Sequence, residues 1–271
     1  MEQFSPAWLA LREPYDRASR SKALARAFLD ALPRNARIAD LACGSGSNAR
    51  YLAALGGREM QWALIDADRT LLSLAGSRLR GSDARCLDLA RPRRSLGLGR
   101  CHGITASALY DLVSGQWLDA LIHDAAYRGL PLLFALTVDG RVAMSPANPA
   151  DRVILNCFRR DQRRDKGFGP ALGPAAPQRL ARTLRAHGYR VRSARSDWRL
   201  GAGDDAILRA LVSGFAVVAL KDGSVARHEI EAWLRLREEQ ISRRRFSLVI
   251  GHVDLFAFRR LKQGSRAVTL P

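Results

Sequence analysis

The sequence has few cysteines and histidines, and their spacing does not suggest a metal site or a disulfide framework. The four cysteines, Cys43, Cys86, Cys101 and Cys157, form no Cys-x-x-Cys pair, and the five histidines are scattered along the 271 residues. Since closely spaced cysteines and histidines mark most zinc sites, we expect no metal. Four separated thiols also favour a reducing, cytoplasmic compartment over a disulfide-stabilised protein.

Long apolar runs are absent as well. No stretch approaches the roughly 18 consecutive apolar residues that a membrane-spanning helix needs. The beginning of the sequence, MEQFSPAWLALREPYDRASR, lacks a basic start followed by an apolar core, so we expect no signal peptide. A membrane partner is therefore not expected.

Acidic residues are too few to balance the basic ones. The 26 Asp and Glu residues face 44 Lys and Arg residues, which gives a formal net charge of +18. Such a chain attracts anions, either nucleic acid or a small molecule with phosphate or carboxylate groups, although a general preference for arginine would give the same composition. Aromatic residues make up only 7% and are not interleaved with the basic ones, as they are in proteins that stack on RNA bases. We therefore favour a small-molecule partner.

From residue 37 to residue 142, short apolar runs alternate with segments of helical spacing. This alternation predicts βαβ units and a doubly wound, mostly parallel α/β sheet. Within it we predict a helix over ALYDLVSGQWLDALIHDAAYR, from Ala108, and a tight turn at Asp139 and Gly140 after the fifth strand. Farther along, we predict a short helix from Val153 to Phe158, a long loop, and a last strand over FSLVIGHVDLFAFRR.

The stretch RIADLACGSGSNARYLAAL, from Arg37 to Leu55, combines a strand, a turn with two glycines and the start of a helix. In this arrangement backbone N–H groups collect at a helix N-terminus, and Gly44 and Gly46 let a ligand approach the backbone closely. An ordinary tight turn would also use two glycines, so the turn alone does not decide between the two interpretations.

Three successive predicted strands end near an aspartate, namely Asp40, Asp66 and Asp88. The carboxyl ends of parallel strands share one edge of the sheet, where α/β proteins bind their ligands. Each aspartate alone could cap a helix. Three of them at the same edge favour a ligand site, in which Asp66 could accept both hydroxyls of a ribose.

These residues resemble the Rossmann-like S-adenosylmethionine-dependent methyltransferases. IADLACGSGSNARYLA is similar to the first motif of that family, WALIDAD to the second and ARCLDLA to the third. ITASALYDLVS resembles the segment after the fourth strand, which in the family lies beside the methyl donor. Ala42 and Asn48 replace the outer glycines of the first motif. Since this cofactor has no pyrophosphate, the missing glycines count more against a dinucleotide than against this family.

The resemblance implies a doubly wound, mostly parallel, seven-stranded Rossmann-like sheet with a C-terminal antiparallel strand, and S-adenosyl-L-methionine as cofactor. It implies that Asp40 orients the methionine end, that Gly44 and Gly46 pack against it, that Asp66 holds the ribose, and that Asp88 accepts from the adenine amino group. The cofactor-binding residues it implies are Asp40, Ala42, Gly44, Gly46, Asn48, Asp66, Ala67, Asp88, Leu89 and Thr105.

The methyl acceptor stays open. Tyr110 and Ser107, near the fourth strand, are the candidates for a catalytic role, while we expect Asp111 to stabilise a helix N-terminus. The basic insert NCFRRDQRRDKGFGPALGP could bind a phosphate or carboxylate, or it could be a solvated loop. Trp198 could stack on a planar acceptor or fill the core. The substrate-binding candidates are Arg159, Arg163, Arg164, Lys166 and Trp198.

We therefore expect one methyltransferase domain over residues 1–271, with an N-terminal helical cap over 1–33 and an insert or substrate lid over 143–178. The expected activity is in-line methyl transfer from S-adenosylmethionine to a small, anionic molecule. An RNA methyltransferase and a non-catalytic binding protein with the same fold are the alternatives. The sequence does not predict the oligomeric state.

Overall fold

The computed structural model describes residues 4–91 and 96–259. In this part of the chain eight strands form one sheet. The strands are β1 (Arg37–Leu41), β2 (Gln61–Asp66), β3 (Asp83–Cys86), β4 (Gly103–Ser107), β5 (Leu132–Ser145), β6 (Arg190–Arg195), β7 (Trp198–Leu200) and β8 (Ser247–Phe258).

The first five strands are parallel, in the order β3-β2-β1-β4-β5, and β8 then pairs antiparallel with both β5 and β6. The predicted doubly wound, mostly parallel sheet with a C-terminal antiparallel strand is confirmed. The short β7, which also pairs with β8, is an addition that the sequence pattern does not predict. Since β1 lies between β2 and β4, the order of winding reverses there, and a crevice opens at the carboxyl ends of these strands.

Helices cover both faces of the sheet. α2 and α3 bury Phe28 and Leu52 on one face, and α5 and α7 bury Leu121 and Leu184 on the other. No helix of the described ranges is long and apolar enough to cross a membrane. The helices are α1 (Pro6–Ser19), α2 (Lys22–Asp30), α3 (Ser47–Gly56), α4 (Arg69–Arg78), α5 (Gly115–Tyr127), α6 (Pro149–Asp161), α7 (Ala176–Ala186), α8 (Asp205–Asp222) and α9 (Arg227–Ser242).

The helix predicted from Ala108 begins only at Gly115, so that prediction is wrong at its start. Ala108 has a φ of 52°, which is outside the helical region. The side chain of Ser114 caps α5 by accepting from the backbone N of Trp117 at 3.2 Å. Asp111 therefore lies in the turn before α5 and does not stabilise a helix N-terminus.

The turn predicted at Asp139 and Gly140 is also wrong. Both residues lie inside β5, where its pairing with β8 is irregular between Val138 and Val142 and Gly140 has a φ of 82°. A bulge absorbs the extra residues, so the strand continues to Ser145.

A third hydrophobic cluster lies where the C-terminal end of β5 pairs with the N-terminal end of β8. There α6, α8 and α9 bury Ile154, Phe215 and Trp233 against β7 and the extended strands. α6 exceeds the predicted helix at both ends, and a capping box formed by Asn148 and Asp151 fixes its start. The first part of the segment 143–178 is thus packed structure, and the loop over residues 162–172 follows it.

Candidate functional site

A cleft of about 440 Å³ opens beneath α1 at the carboxyl ends of β1, β2 and β4. Its volume lies within the usual range for small-molecule sites. The predicted site residues that line it are Ala42, Gly44, Asn48, Asp66, Ala67, Asp88, Ser107 and Lys166. The predicted residues outside its lining are Asp40, Gly46, Leu89, Thr105, Tyr110, Arg159, Arg163, Arg164 and Trp198.

The two glycines of the turn face different surroundings. Gly44, with a φ of 52°, lines the cleft, and its backbone N donates to Oδ2 of Asp66 at 2.8 Å. Gly46, with a φ of 79°, precedes α3, and a Cβ at this position would lie 3.0 Å from Cβ of Ala75. Gly44 therefore lines the cleft beneath α1, where a Cβ would lie 3.3 Å from Cδ1 of Leu9, whereas Gly46 is required by the packing of the turn against α4.

The carboxylate of Asp66 organises the centre of the strand edge. In addition to Gly44 N, it accepts the backbone N of Asp68 through Oδ1 at 2.9 Å. Each carboxylate oxygen can accept a second hydrogen bond, so the side chain can still bind ligand hydroxyls. Asp88 lies two residues beyond β3, accepts from Ala90 N at 3.0 Å, and lines the cleft next along the sheet.

Asp40 lies inside β1 and is fully buried, so it does not reach the cleft as a direct ligand. It acts through Asn48, whose Nδ2 donates to Oδ1 of Asp40 at 2.7 Å and to Oγ1 of Thr105 at 3.1 Å. Burial raises the pKa of Asp40 to about 7, although the bond from Asn48 and the charge of Arg20 oppose this rise. Asn48 is the member of this group that faces the cleft.

Arg20 directly follows α1, and the sequence pattern does not single it out. Its buried guanidinium donates to Oδ1 of Asn48 at 2.6 Å and to Oγ of Ser107 at 2.9 Å. Burial lowers the pKa of Arg20, and the nearby carboxylates, Asp16 first, partly oppose this. Arg20 thereby ties the N-terminal helices to the start of α3 and the end of β4. In an arginine-rich sequence nothing distinguishes this arginine from the others.

Two predicted residues are part of the core. Leu89 is buried, and its carbonyl accepts Nε1 of Trp117 at 2.7 Å. Tyr110 is fully buried, with its ring centroid 4.0 Å from that of Phe134, so it is not positioned to contact an acceptor. Of the two catalytic candidates, only Ser107 lines the cleft.

The basic insert brings one of its predicted residues to the cleft. Lys166 lines it and pairs with Asp161 at 2.7 Å. Arg163 and Arg164 are exposed outside the cleft, and Arg159 donates to Asn156 at 2.9 Å. Phe168, in the same loop, packs against Trp117 and closes the cleft on that side.

Trp198 is buried under α1 and does not line the cleft, so of its two expected roles it fills the core and does not stack on an acceptor. Its Nε1 donates to Oδ1 of Asp16 at 3.2 Å. The guanidinium of Arg12 lies 5.0 Å from its ring centroid, and the ring of His252 lies 5.2 Å away. Trp198 therefore supports the polar residues at the α1 end of the site.

No protein-family model matches the chain, and no curated protein matches its sequence. Solved structures do match. A cyclopropane-fatty-acyl-phospholipid synthase-like protein from Lactobacillus casei gives a TM-score of 0.53 at 13% identity, over 94% of each chain. A candidate methyltransferase from Bacillus halodurans C-125 gives a TM-score of 0.50 at 14% identity, over 89% of this chain and 100% of that chain. The chain has the methyltransferase fold.

Within this methyltransferase fold, the cleft is more acidic than the whole chain. Both basic side chains of its described lining are paired, Arg12 with Asp16 at 3.0 Å and Lys166 with Asp161. An excess of carboxylates in a partly buried cleft favours a ligand with positive charge. The charged residues of the lining are Asp16, Asp66, Asp68 and Asp88, and Arg12 and Lys166. Within residues 4–91 and 96–259, no group of three or more His, Cys, Asp or Glu side chains could hold a metal ion.

Proposed function

We propose that the protein is an S-adenosyl-L-methionine-dependent methyltransferase that methylates a small, anionic molecule. The observation that carries the cofactor part of this proposal is the aspartate-rich cleft at the ends of β1, β2 and β4, with Gly44 and Asp66 in its lining. The anionic acceptor rests on the two basic residues of the same lining, Arg12 and Lys166. The cofactor carries two positive groups, a sulfonium and an ammonium, and one negative group, its carboxylate. It is therefore a net cation, which an acidic lining attracts. The fold supports the same assignment.

The order of the strands suggests how the cofactor lies. Asp66 and Ser107 are the last residues of β2 and β4, and Asp88 and Asn48 come after β3 and β1. These four strands are consecutive in the sheet, in the order β3-β2-β1-β4. On this proposal the ribose binds Asp66 and the adenine lies toward Asp88. The amino-acid end then lies toward Asn48 and Ser107, where Arg20 and Asp40 supply buried charges of both signs.

The acceptor would lie between α1 and the loop over residues 162–172. Arg12 and Lys166 line this part of the cleft, and a phosphate or a carboxylate of the acceptor would compete for them with their partners Asp16 and Asp161. The loop is tied down, because Leu172 N and Gly173 N donate to the carbonyls of Val113 at 2.9 Å and Asp111 at 2.8 Å. When bound, the cofactor supplies the methyl group. The chain's task is to align the acceptor with the sulfur–methyl bond and to exclude water.

Isothermal titration with S-adenosylhomocysteine tests the cofactor assignment. We expect one molecule to bind per chain. If the folded protein binds none at millimolar ligand, the proposal is wrong.

The acceptor class is tested with radiolabelled S-adenosylmethionine and two fractions of a cell extract, one of small molecules and one of RNA. Label that enters the small-molecule fraction supports the proposal. Label that enters RNA supports the RNA methyltransferase alternative. Binding of S-adenosylhomocysteine without any transfer supports a non-catalytic binding protein.

A further inference from the structure

The hydrogen bonds around Arg20 have a fixed direction, because a guanidinium can only donate. Nη1 of Arg20 donates to Oδ1 of Asn48 at 2.6 Å, and Nη2 donates to Oγ of Ser107 at 2.9 Å. Oγ of Ser107 is therefore the acceptor in this bond, and the hydroxyl proton of Ser107 points away from Arg20.

The other protons of this group are taken up inside the protein. Asn48 uses both N–H groups of its amide, since Nδ2 donates to Oδ1 of Asp40 at 2.7 Å and to Oγ1 of Thr105 at 3.1 Å. The hydroxyl of Thr105 donates in turn to the carbonyl of Leu133 at 2.9 Å. For the hydroxyl proton of Ser107, the described part of the chain supplies no acceptor, so this proton is available to a ligand.

Another serine that accepts from an arginine shows the contrast. Oγ of Ser242, the last residue of α9, accepts from Nη2 of Arg209 at 2.7 Å and donates its own proton to the carbonyl of Glu238 at 2.9 Å. Ser242 lies outside the lining of the cleft. Its hydroxyl is satisfied by the protein alone, whereas the hydroxyl of Ser107 requires an acceptor from the cleft.

Ser107 lies next to two positive groups. It is the last residue of β4 and lines the cleft, and Ala106 before it pairs with Leu41 at the end of β1. Ser107 thus lies beside the start of the glycine turn, after which α3 begins without a side-chain cap. The N-terminus of α3 and the guanidinium of Arg20 both favour an anionic group at this place. The donor and the local charge therefore point to the same kind of ligand atom, an anionic oxygen.

We propose that Ser107 donates its hydroxyl proton to the carboxylate at the amino-acid end of the cofactor, with Arg20 setting the direction of this bond. This inference rests on the proposed function, in which the amino-acid end lies toward Asn48 and Ser107. Ser107 is then a binding residue that positions the sulfur and its methyl group, and it does not take a proton from the acceptor.

Ser107→Ala tests the proposal with ligands that differ only at the amino-acid end. S-adenosylhomocysteine carries both end groups, its decarboxylated analogue keeps only the ammonium, and its deaminated analogue keeps only the carboxylate. We expect S107A to weaken the binding of the two ligands that have the carboxylate about tenfold, because a hydrogen bond to a charged group is lost. The binding of the decarboxylated analogue should weaken less than about twofold. Isothermal titration measures all three.

Ser107→Thr and Ser242→Ala are the controls. The threonine keeps a hydroxyl at the same place, so S107T should bind S-adenosylhomocysteine within about threefold of the wild type. S242A also removes a hydroxyl that accepts from an arginine, but one outside the cleft, and should leave the binding of all three ligands unchanged. Both Ser107 variants should stay folded at the temperature of the titration, because Arg20 keeps its bond to Asn48.

The role of Arg20 is tested by a double-mutant cycle. In an Arg20→Met background the hydroxyl of Ser107 has no fixed direction, so S107A should cost less affinity for S-adenosylhomocysteine than it does in the wild type. A cost of the same size in both backgrounds would show that Arg20 does not orient the hydroxyl.

A loss of the same size for the decarboxylated analogue would overturn the inference, and so would an unchanged affinity of S107A for all three ligands. Slower methyl transfer to the extract acceptor with unchanged cofactor affinity would make Ser107 a residue that acts on the acceptor, which contradicts the inference as well. A wild-type protein that binds none of the three ligands instead refutes the proposed function itself.

Discussion

At the scale of single residues, Asp66 is the side chain on which the proposed cofactor site most depends. Asp66→Ala should weaken binding of S-adenosylhomocysteine about 10- to 100-fold, on the order of 1–3 kcal/mol, because charge-assisted bonds to the ribose are lost. Asp66→Asn keeps one carbonyl oxygen and should give an intermediate loss. Isothermal titration measures both, and an unchanged affinity of the alanine variant would contradict the ribose role.

Asp40 should make stability depend on pH. Its pKa is about 7 in the folded protein against 3.8 ordinarily, so between these values the folded state holds a proton that the unfolded state has lost. The protonated side chain of Asp40 therefore makes its full contribution to the free energy of unfolding below about pH 4. This contribution decreases as the pH rises to about 7.

Asp40→Asn removes this dependence. The free energy of unfolding of the variant, relative to wild type, should increase by on the order of a few kcal/mol between pH 4 and pH 7. Urea unfolding at several pH values measures it. A constant difference across that range would show that the pKa of Asp40 is not raised.

Single residues also show which parts of the site can be predicted from the sequence and which cannot. Asp66 and Asp88 are recognisable because Asp66 ends the apolar run WALID and Asp88 lies in the segment ARCLDLA that comes next along the chain. Arg20 contacts Asn48 and Ser107, 28 and 87 positions away, and the bulges of β5 arise where it pairs with β8. No local pattern encodes these contacts, since they arise from the packing of α1 and from irregular strand pairing.

At the scale of elements, α1 is held against the glycine turn by several polar contacts. Glu13 pairs with Arg50 at 2.6 Å, and Arg50 donates to the carbonyl of Ser45 at 2.5 Å. Arg20 adds the contacts to Asn48 and Ser107. The helix therefore contributes to the proposed binding site for the amino-acid end of the cofactor.

Arg20→Met should weaken the binding of S-adenosylhomocysteine about tenfold. It should weaken the binding of methylthioadenosine much less, because that ligand lacks the amino-acid end. Arg20→Lys keeps the charge and should recover part of the affinity. Calorimetric titration of each variant with both ligands checks this. Equal losses for the two ligands would contradict the assignment of the amino-acid end.

A second prediction at this scale concerns Lys166 in the loop over residues 162–172. Lys166→Ala should raise the apparent Michaelis constant for the acceptor several-fold, because Lys166 lines the cleft, and should leave S-adenosylhomocysteine affinity unchanged. The double variant Arg163→Ala/Arg164→Ala is the matched control, since both side chains are exposed outside the cleft. Steady-state kinetics with the extract acceptor compares them, and a larger effect in the control would reassign acceptor binding to those arginines.

Elements with a clear apolar period are predictable, and elements shaped by single backbone angles are not. β8 follows the sequence pattern, and α6 contains the helix predicted from Val153 to Phe158. The sequence places the start of α5 too early, because Ala108 adopts a left-handed backbone angle and the helix begins only at Gly115. It also ends β5 too early, because Gly140 is typical of a turn although the strand continues to Ser145. In both places tertiary contacts override the local preference.

At the scale of the whole molecule, a basic surface surrounds an acidic cleft. RNA binding by the +18 chain should weaken steeply as salt is raised, because such binding releases counterions. S-adenosylhomocysteine affinity should change less than about threefold between 0.05 and 0.5 M salt, since partly buried groups are screened less. Filter binding and calorimetry measure the two. RNA binding that resists salt would favour the RNA methyltransferase alternative.

β5 and β8 contribute to all three hydrophobic clusters of the described residues. At one end they lie among the other strands of the sheet, and at the other end they extend into the layer formed by α6, α8 and α9. Gly44 and Asp66 lie instead at the carboxyl ends of β1 and β2, which β4 separates from β5. Under the proposed function, substitutions in the distant helices would therefore leave the nucleoside end of the cleft unaltered.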